Sequence, residues 1–100
     1  MRLSTEEQRL IKKLAKQAFG DGTHVYIFGS RADDTKKGGD IDLFITNEHK
    51  EKLTIKNKIN FLVNLKSEIG DQKIDVVLDT NSTRSKKFFY RTIKKDAIEI

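Results

Sequence analysis

The sequence contains no cysteine and no proline. Without cysteine the chain has no disulfide framework, no thiol nucleophile and no cysteine-based zinc site. No apolar run approaches the roughly 18 residues that a membrane span requires, and the first residues, MRLSTEEQRLIKK, lack the apolar segment of a secretory signal. We therefore expect a cytoplasmic protein that does not enter a membrane, with residues 1–100 forming one domain and no linker dividing it.

The chain is rich in charge: 36% of its residues are hydrophobic, 35% are charged, and the formal net charge is +5. An excess of positive charge favours polyanionic partners such as nucleotides, nucleic acid or an acidic protein surface. Lysines spread over exposed helix faces would give the same total. The charge alone therefore does not choose a partner.

The first half of the chain predicts one helix followed by two strands. Ser4 and Glu7 have the spacing of a capping box, in which each side chain satisfies a free backbone N–H at a helix start. Apolar residues then recur at helical spacing until Gly20 ends the run. β-Branched and aromatic residues at 24–28 predict a buried strand, and a second strand is expected over 40–46.

The second half predicts a helix that begins within 47–53 and ends at Gly70, a strand over 73–78, and a last helix over about 84–95. The final AIEI, residues 97–100, is expected to form a short edge strand. The order helix, strand, strand, helix, strand, helix indicates an α/β (α+β) fold. The predicted apolar stripe of the second helix consists of Ile55, Ile59, Phe61, Leu62, Leu65 and Ile69.

Three aspartates interrupt apolar strand sequence. In the stretch GSRADDTKKGGDIDLFI, residues 29–45, Asp40 and Asp42 alternate with Ile41 and Leu43. Side chains alternate across a strand, so the two aspartates project from one face at a separation of about 6.5 Å. Asp75 repeats the arrangement in the next strand. If that strand is a neighbour of the first, three carboxylates meet at one place.

Such a cluster needs a counter-ion. Two like charges 4 Å apart repel by about 4 kcal/mol at an effective dielectric constant near 20. The carboxylates must therefore raise a pKa, spread into water or bind metal. Hard oxygen ligands favour Mg²⁺ or Mn²⁺, and two such ions can stabilise both the attacking and the leaving oxygen in phosphoryl displacement.

The turn before the aspartates has the residues of a phosphate-binding site. Gly29 lets the backbone approach a phosphate closely, and the following turn would direct backbone N–H groups and the Ser30 hydroxyl at it. Arg31 supplies a guanidinium for further phosphate oxygens. The sequence G-x-x-x-x-G-K-[ST] is absent from the chain, so the turn is not a P-loop.

Gly29-Ser30, nine intervening residues, the Asp40-to-Leu43 segment DIDL, and a later apolar-flanked Asp75 resemble the signature of polymerase-beta-type nucleotidyltransferases. The whole chain is similar to their smallest members, the minimal nucleotidyltransferase (MNT) proteins. This resemblance implies a short mixed β-sheet flanked by helices, a palm-like fold with the active site on one face.

The resemblance also implies roles for individual residues. Asp40 and Asp42 would bind two Mg²⁺ ions (or Mn²⁺), and Asp75 would bind the catalytic ion and help to deprotonate the acceptor hydroxyl. Gly29, Ser30 and Arg31 would hold the phosphates of ATP or another nucleoside triphosphate.

The loop departs from the common family form. Asp33 and Asp34 stand where a basic residue and a glycine are usual, and Gly39 replaces a frequent serine. These changes affect the expected affinity for a triphosphate. Lys36 and Lys37 are expected to compensate in part.

The implied activity is transfer of a nucleoside monophosphate to a hydroxyl group. Larger relatives carry a helical domain that holds the acceptor, and we expect no room for one in 100 residues. The acceptor would then be a tyrosine of a HEPN-domain toxin, with this chain acting as antitoxin in a hetero-oligomer. The alternatives are a non-catalytic antitoxin that sequesters its HEPN partner, and a transferase for a small molecule or RNA. Nucleic acid as a partner is not favoured.

Simpler interpretations exist for other residues. His24 and His49 have no second histidine at ligand spacing, so both are read as structural or surface residues. The aromatic run at 88–90 is expected to pack in the core rather than stack on bases. The basic residues around it are by default a solvated helix face, although they could line a route for a polyanion: Arg84, Lys86, Lys87 and Arg91.

Overall fold

The structure, a computed structural model, describes residues 1–35 and 38–100. The expected contribution of Lys36 and Lys37 to phosphate binding lies outside these residues. None of the described helices is long and apolar enough to cross a membrane. The helices are α1 (Thr5–Phe19), α2 (Ile55–Ile69), α3 (Asn81–Ser85) and α4 (Lys87–Asp96), and the strands are β1 (His24–Phe28), β2 (Ile41–Thr46), β3 (Ile74–Leu78) and β4 (Ile98–Glu99).

The four strands form one mixed sheet in the order β3-β2-β1-β4. β1 pairs antiparallel with both β2 and β4, whereas β2 and β3 are parallel. A parallel pair needs a crossover connection, and α2 provides it. The predicted mixed sheet flanked by helices is confirmed, as is the edge strand near the C-terminal end.

Helix α1 begins and ends where the sequence predicts. The Ser4 hydroxyl accepts a hydrogen bond from the Glu7 N–H (3.0 Å), and the Glu7 carboxylate accepts one from the Ser4 N–H (3.0 Å). Gly20 follows the last helical residue. The start of α2 was predicted too early: residues 50–52 form a 3-10 turn, and Thr54 caps the helix by accepting a hydrogen bond from the Asn57 N–H.

One face of the sheet packs against α1 and α2 and forms the main core. Phe61 and Leu65 of α2 are buried there, as predicted. The prediction was wrong for Ile55 and Ile59, which are 73% and 54% exposed. Ile59 lies nearly opposite Phe61, because a step of two residues covers about 200° of a helix with 3.6 residues per turn, and Ile55 lies about one turn before Ile59. The buried strand residues of this core are Val25, Ile27, Ile41, Leu43, Ile45, Ile74, Val76 and Leu78.

The opposite face of the sheet is covered in part by α4. The ring of Phe44 lies 6.2 Å from that of Tyr26 and 6.0 Å from that of Tyr90. Ile93, one helical turn after Tyr90, is buried beside them. The next row of side chains on this face holds Asp42 and Asp75, and Asp75 is exposed. The sheet therefore has one apolar face and one face on which charged groups lie beside an aromatic cluster.

The predicted last helix is in fact two helices, α3 and α4, separated at Lys86, whose ψ of 72° is not helical. The expectation that residues 88–90 pack in the core was wrong for two of them. Tyr90 packs on Phe44, but Phe88 is 84% exposed and Phe89 42% exposed. Tyr90 and Ile93 occupy the side of α4 that faces the sheet, so Phe88 projects from another side.

A buried carboxylate that the sequence analysis did not identify fixes the start of α3 to the end of β3. The side chain of Asp79 accepts hydrogen bonds from Arg84 Nε (2.7 Å), Arg84 Nη2 (2.9 Å) and Lys50 Nζ (3.1 Å). The Arg84 guanidinium beside it holds the pKa of Asp79 below its usual value. The only sequence signal was an Asp with an Arg five residues later.

We expect Asp79→Asn to lower the free energy of unfolding by about 2 kcal/mol at pH 7, because hydrogen bonds between charged groups are lost in a buried place. A carboxyl with a lowered folded pKa stabilises the protein above its unfolded pKa, and this stabilisation is lost as the pH falls through the folded value. In urea unfolding, the difference in free energy between the unmodified protein and Asp79→Asn should therefore be smaller at pH 3 than at pH 7. Asp71→Asn, at an exposed aspartate, is the control; an equal effect of both variants contradicts the prediction.

Candidate active site

Asp42 and Asp75 are direct neighbours across the parallel pair β2–β3. The register places Asp42 opposite Asp75, Ile41 opposite Ile74 and Leu43 opposite Val76. Paired residues on adjacent strands, about 4.8 Å apart, project from the same face of a sheet. The two carboxylates therefore lie side by side on the face that α1 and α2 do not cover, as the alternation of apolar residues predicts.

The carboxylates interact electrostatically. Partial burial raises the pKa of Asp42, and the charges of Asp75 and Asp40 raise it further, while Lys73 acts in the opposite direction. A cation between the carboxylates would relieve the repulsion.

Asp40 lies one residue before β2, which begins at Ile41 rather than at residue 40 as predicted. Its Oδ2 atom is 3.5 Å from Lys73 Nζ in a pair whose side chains are both at least half exposed. Within residues 1–35 and 38–100, no group of three or more His, Asp or Glu side chains is arranged as a ready metal site. The structure brings together Asp42 and Asp75, and Asp40 is paired with a lysine beside them.

Gly29 follows β1 directly and faces Asp42. Its φ of +72° lies in the left-handed region that side chains disfavour, and a Cβ atom there would be 2.3 Å from Asp42 Oδ2. Gly29 also begins a 3-10 turn over Gly29–Ala32. A glycine is therefore required here for two reasons, its backbone conformation and the close approach of a carboxylate.

Ser30 lies in the same turn as Gly29, near Gly38. Its carbonyl oxygen accepts a hydrogen bond from Arg2 Nη2 (3.2 Å), and a Cβ on Gly38 would come within 2.8 Å of its hydroxyl oxygen. The Ser30 side chain is therefore close to the backbone of Gly38. Its role in phosphate binding stays a prediction.

Arg31 holds the loop in place. Its guanidinium donates hydrogen bonds to the carbonyl oxygens of Arg2 (2.8 Å) and Gly39 (3.0 Å) and to the Gln72 side chain (3.3 Å). These contacts join the 3-10 turn to the N-terminal segment and to the residue pair before β3. The sequence analysis did not foresee this structural role, and phosphate binding by Arg31 stays a prediction.

A cavity of about 620 Å³ opens beside Gly29, and its other lining residues are Ala32, Asp33, Asp34, Thr35 and Asp96. Three of these residues are acidic. The two acids that distinguish this loop from the common family form therefore line the space next to the turn. Asp34 forms an ion pair with the N-terminal amino group, and Asp33 accepts hydrogen bonds from the N–H and the hydroxyl of Thr35.

The donor set fits a hard divalent cation. Asp42 and Asp75 present carboxylate oxygens from neighbouring strands, the ligands that Mg²⁺ and Mn²⁺ prefer. Asp40 would become a third ligand if its carboxylate left Lys73, with which it forms an exposed ion pair, and bound the cation instead. Exposed ion pairs of this kind contribute only about 0–1 kcal/mol to stability, so breaking this pair costs little free energy.

A mixed sheet that presents adjacent carboxylates opposite a Gly-Ser turn is what the resemblance to nucleotidyltransferases implies. The comparison with known families agrees: residues 8–99 match the family described as Polymerase beta, Nucleotidyltransferase. The chain belongs to this family, whose domains generally use a nucleoside triphosphate and a divalent metal ion. No curated protein matches the sequence.

We expect Gly29→Ala to destabilise the protein by about 1–3 kcal/mol, because the new Cβ is strained at this φ and contacts the Asp42 carboxylate. Thermal unfolding is the measurement. Gly39→Ala is the matched control, since a Cβ at Gly39 meets no atom within 4 Å. Asp42→Ala combined with Gly29→Ala should cost less than the sum of the two single changes, because the contact is then absent. Additive effects would show that the contact is unimportant.

We expect Asp42→Asn to raise the free energy of unfolding by about 1 kcal/mol at pH 7. A carboxyl whose pKa is higher in the folded than in the unfolded protein destabilises the folded state once it ionises. This destabilisation develops as the pH rises from the unfolded pKa, near 3.8, through the folded pKa. The gain should therefore disappear below pH 3.8. Urea unfolding over this pH range is the measurement.

The same variant tests for a cation. MgCl₂ or MnCl₂ should raise the melting temperature of the unmodified protein, because a ligand that binds only the folded state stabilises it. EDTA should reverse the effect. The increase should be smaller in Asp42→Asn and unchanged in Asp71→Asn. Equal increases in all three proteins would show that no cation binds at Asp42.

Proposed function

We propose that the protein transfers a nucleoside monophosphate, AMP from ATP, to the hydroxyl of a tyrosine on a HEPN-domain partner, and acts as its antitoxin in the cytoplasm. The observation that carries the proposal is the pairing of Asp42 with Asp75 opposite Gly29. Membership of the nucleotidyltransferase family supports the reaction class. The likeness to MNT proteins supports the choice of acceptor and partner.

In this reaction the acceptor oxygen attacks the α-phosphorus of the triphosphate. The bond from that phosphorus to the bridging oxygen breaks, and pyrophosphate leaves. Asp75 is exposed beside Asp42 and would take the proton of the acceptor hydroxyl. Asp42, with Asp40, would hold Mg²⁺, which when bound neutralises the phosphate oxygens and the charge that develops on the leaving group.

A protein partner is consistent with an exposed apolar stripe on α2. Ile55, Ile59 and Val63 follow one another at four-residue spacing and are 73%, 54% and 62% exposed. Residues at this spacing lie on one side of a helix. Contiguous exposed apolar groups are typical of surfaces that bind other proteins. The stripe is therefore a surface on which a second chain can be held.

The test is transfer of label from ATP. ATP labelled at the α-phosphate, MgCl₂ and the purified HEPN partner should yield a labelled partner, whereas ATP labelled at the γ-phosphate should not. Mass spectrometry should place the added AMP on a tyrosine. Asp42→Asn and Asp75→Asn should each lower the rate at least about 100-fold, by removal of metal and proton-accepting groups, while Asp71→Asn should not.

Absence of label from a folded protein and a bound partner would contradict transfer.

A second function is favoured by the departures of the loop from the common family form, since Asp33 and Asp34, which stand where a basic residue and a glycine are usual, line the cavity beside Gly29. In this second function the chain neutralises the partner by binding alone. Asp40→Ala combined with Asp42→Ala distinguishes the two functions: a double variant that still suppresses the toxicity of the partner shows that catalysis is unnecessary. Loss of suppression with retained binding of the partner shows that transfer is the neutralising step.

A further inference from the structure

The surface of α3 and α4 combines exposed aromatic rings with unpaired positive charge. Phe88 is 84% exposed, whereas Phe19, Phe44 and Phe61 are almost completely buried. Phe89, beside it, is 42% exposed. A ring as open as that of Phe88 contributes little to the fold. It remains available to a ligand that has a flat face.

The charged residues of the segment 84–95 are all basic, and Asp96 follows them at the end of α4. Residues 84–95 contain six Lys or Arg and no acidic residue. Arg84 is bound to Asp79 and also lies over the Tyr90 ring, with 5.6 Å between the guanidinium carbon and the ring centroid. In the part of the chain that the structure describes, the other cations make no ion pair: Lys86, Lys87, Arg91, Lys94 and Lys95.

These side chains border two shallow cavities on α4. One, of about 320 Å³, is lined by Arg84, Lys87, Tyr90, Arg91 and Lys94. The second, of about 300 Å³, is lined by Phe88, Arg91, Thr92, Lys95 and Asp96. Because Arg91 lines both, the cavities adjoin along the helix. A chain of phosphates could follow the cations from one cavity to the other while a neighbouring flat group contacts Phe88.

We propose that this surface, formed by α4 with Arg84 of α3, binds single-stranded nucleic acid. The cations would contact phosphates, and Phe88 would stack on a base. Stacking on an aromatic side chain needs an unpaired base face, which a duplex does not offer along its length. A membrane is a weaker fit, because the side of α4 that carries Tyr90 and Ile93 is already packed on the sheet.

The surface ends at the candidate active site. Asp96 lines the second α4 cavity and also the cavity beside Gly29. A strand bound along α4 would therefore approach the turn that begins at Gly29. The inference concerns binding alone and does not depend on which hydroxyl is the acceptor in the proposed transfer.

Fluorescence anisotropy with a labelled 12-nucleotide single-stranded RNA tests the proposal. Binding should weaken linearly on a plot of log affinity against log salt concentration, with a slope of about −0.7 for each phosphate contact. Arg91→Gln and Lys87→Gln should each make the slope less steep by about 0.7. Phe88→Ala should weaken binding about 5- to 150-fold, without changing the slope, because stacking is not ionic.

Matched variants elsewhere on the protein are the controls. Lys12→Gln and Lys13→Gln remove the same charge from exposed positions of α1, and Ile59→Ala removes an exposed apolar group from α2. All three should bind the RNA as the unmodified protein does, and every variant should keep its melting temperature.

Three outcomes overturn the proposal. The first is that the α1 charge variants lower the affinity for RNA as much as the α4 variants do, which indicates attraction by net charge only. The second is an unchanged affinity in Phe88→Ala, which indicates a polyanion surface without stacking. The third is tighter binding of a polyglutamate peptide or of phosphatidylserine vesicles than of the RNA at equal salt, which assigns the surface to an acidic protein or a membrane.

Discussion

The parallel pairing of β2 with β3 is the constraint on which the candidate site depends. Ile41 and Leu43 of β2, with Ile74 and Val76 of β3, are buried against α1 and α2. Side chains alternate along a strand, so a slip of one residue would turn Asp75 into the core and an isoleucine or valine to the surface. The apolar core thus holds the register, and the register places Asp75 beside Asp42.

Two aspartates of this protein have pKa values shifted in opposite directions by their surroundings. Asp79 is buried, yet Arg84 and Lys50 bind it and lower its pKa. Asp42 is only partly buried, yet burial and its acidic neighbours raise its pKa. The first carboxylate stabilises the fold. The second destabilises it, which is expected of a site that is completed by a ligand.

Local signals in the sequence predicted much of the fold because they depend on neighbouring residues only. The capping box at Ser4, the glycine that ends each of the two long helices and the alternation in β2 belong to this class. The predictions failed on which side of a helix is buried. Apolar residues surround much of α2, so the sequence could not show that Ile55 and Ile59 face solvent. The sequence likewise did not show that the last helix is interrupted at Lys86 or that Phe88 faces solvent.

The sequence by itself determined that Asp42 projects from the face of the strand opposite to Ile41 and Leu43, because the period of a strand is fixed by backbone geometry. Only the tertiary structure decided that Asp75 lies next to Asp42, that Asp40 pairs with Lys73 and that Arg31 fastens the loop. These contacts join residues far apart in the chain. They follow from how the strands and helices pack together, which no local pattern specifies.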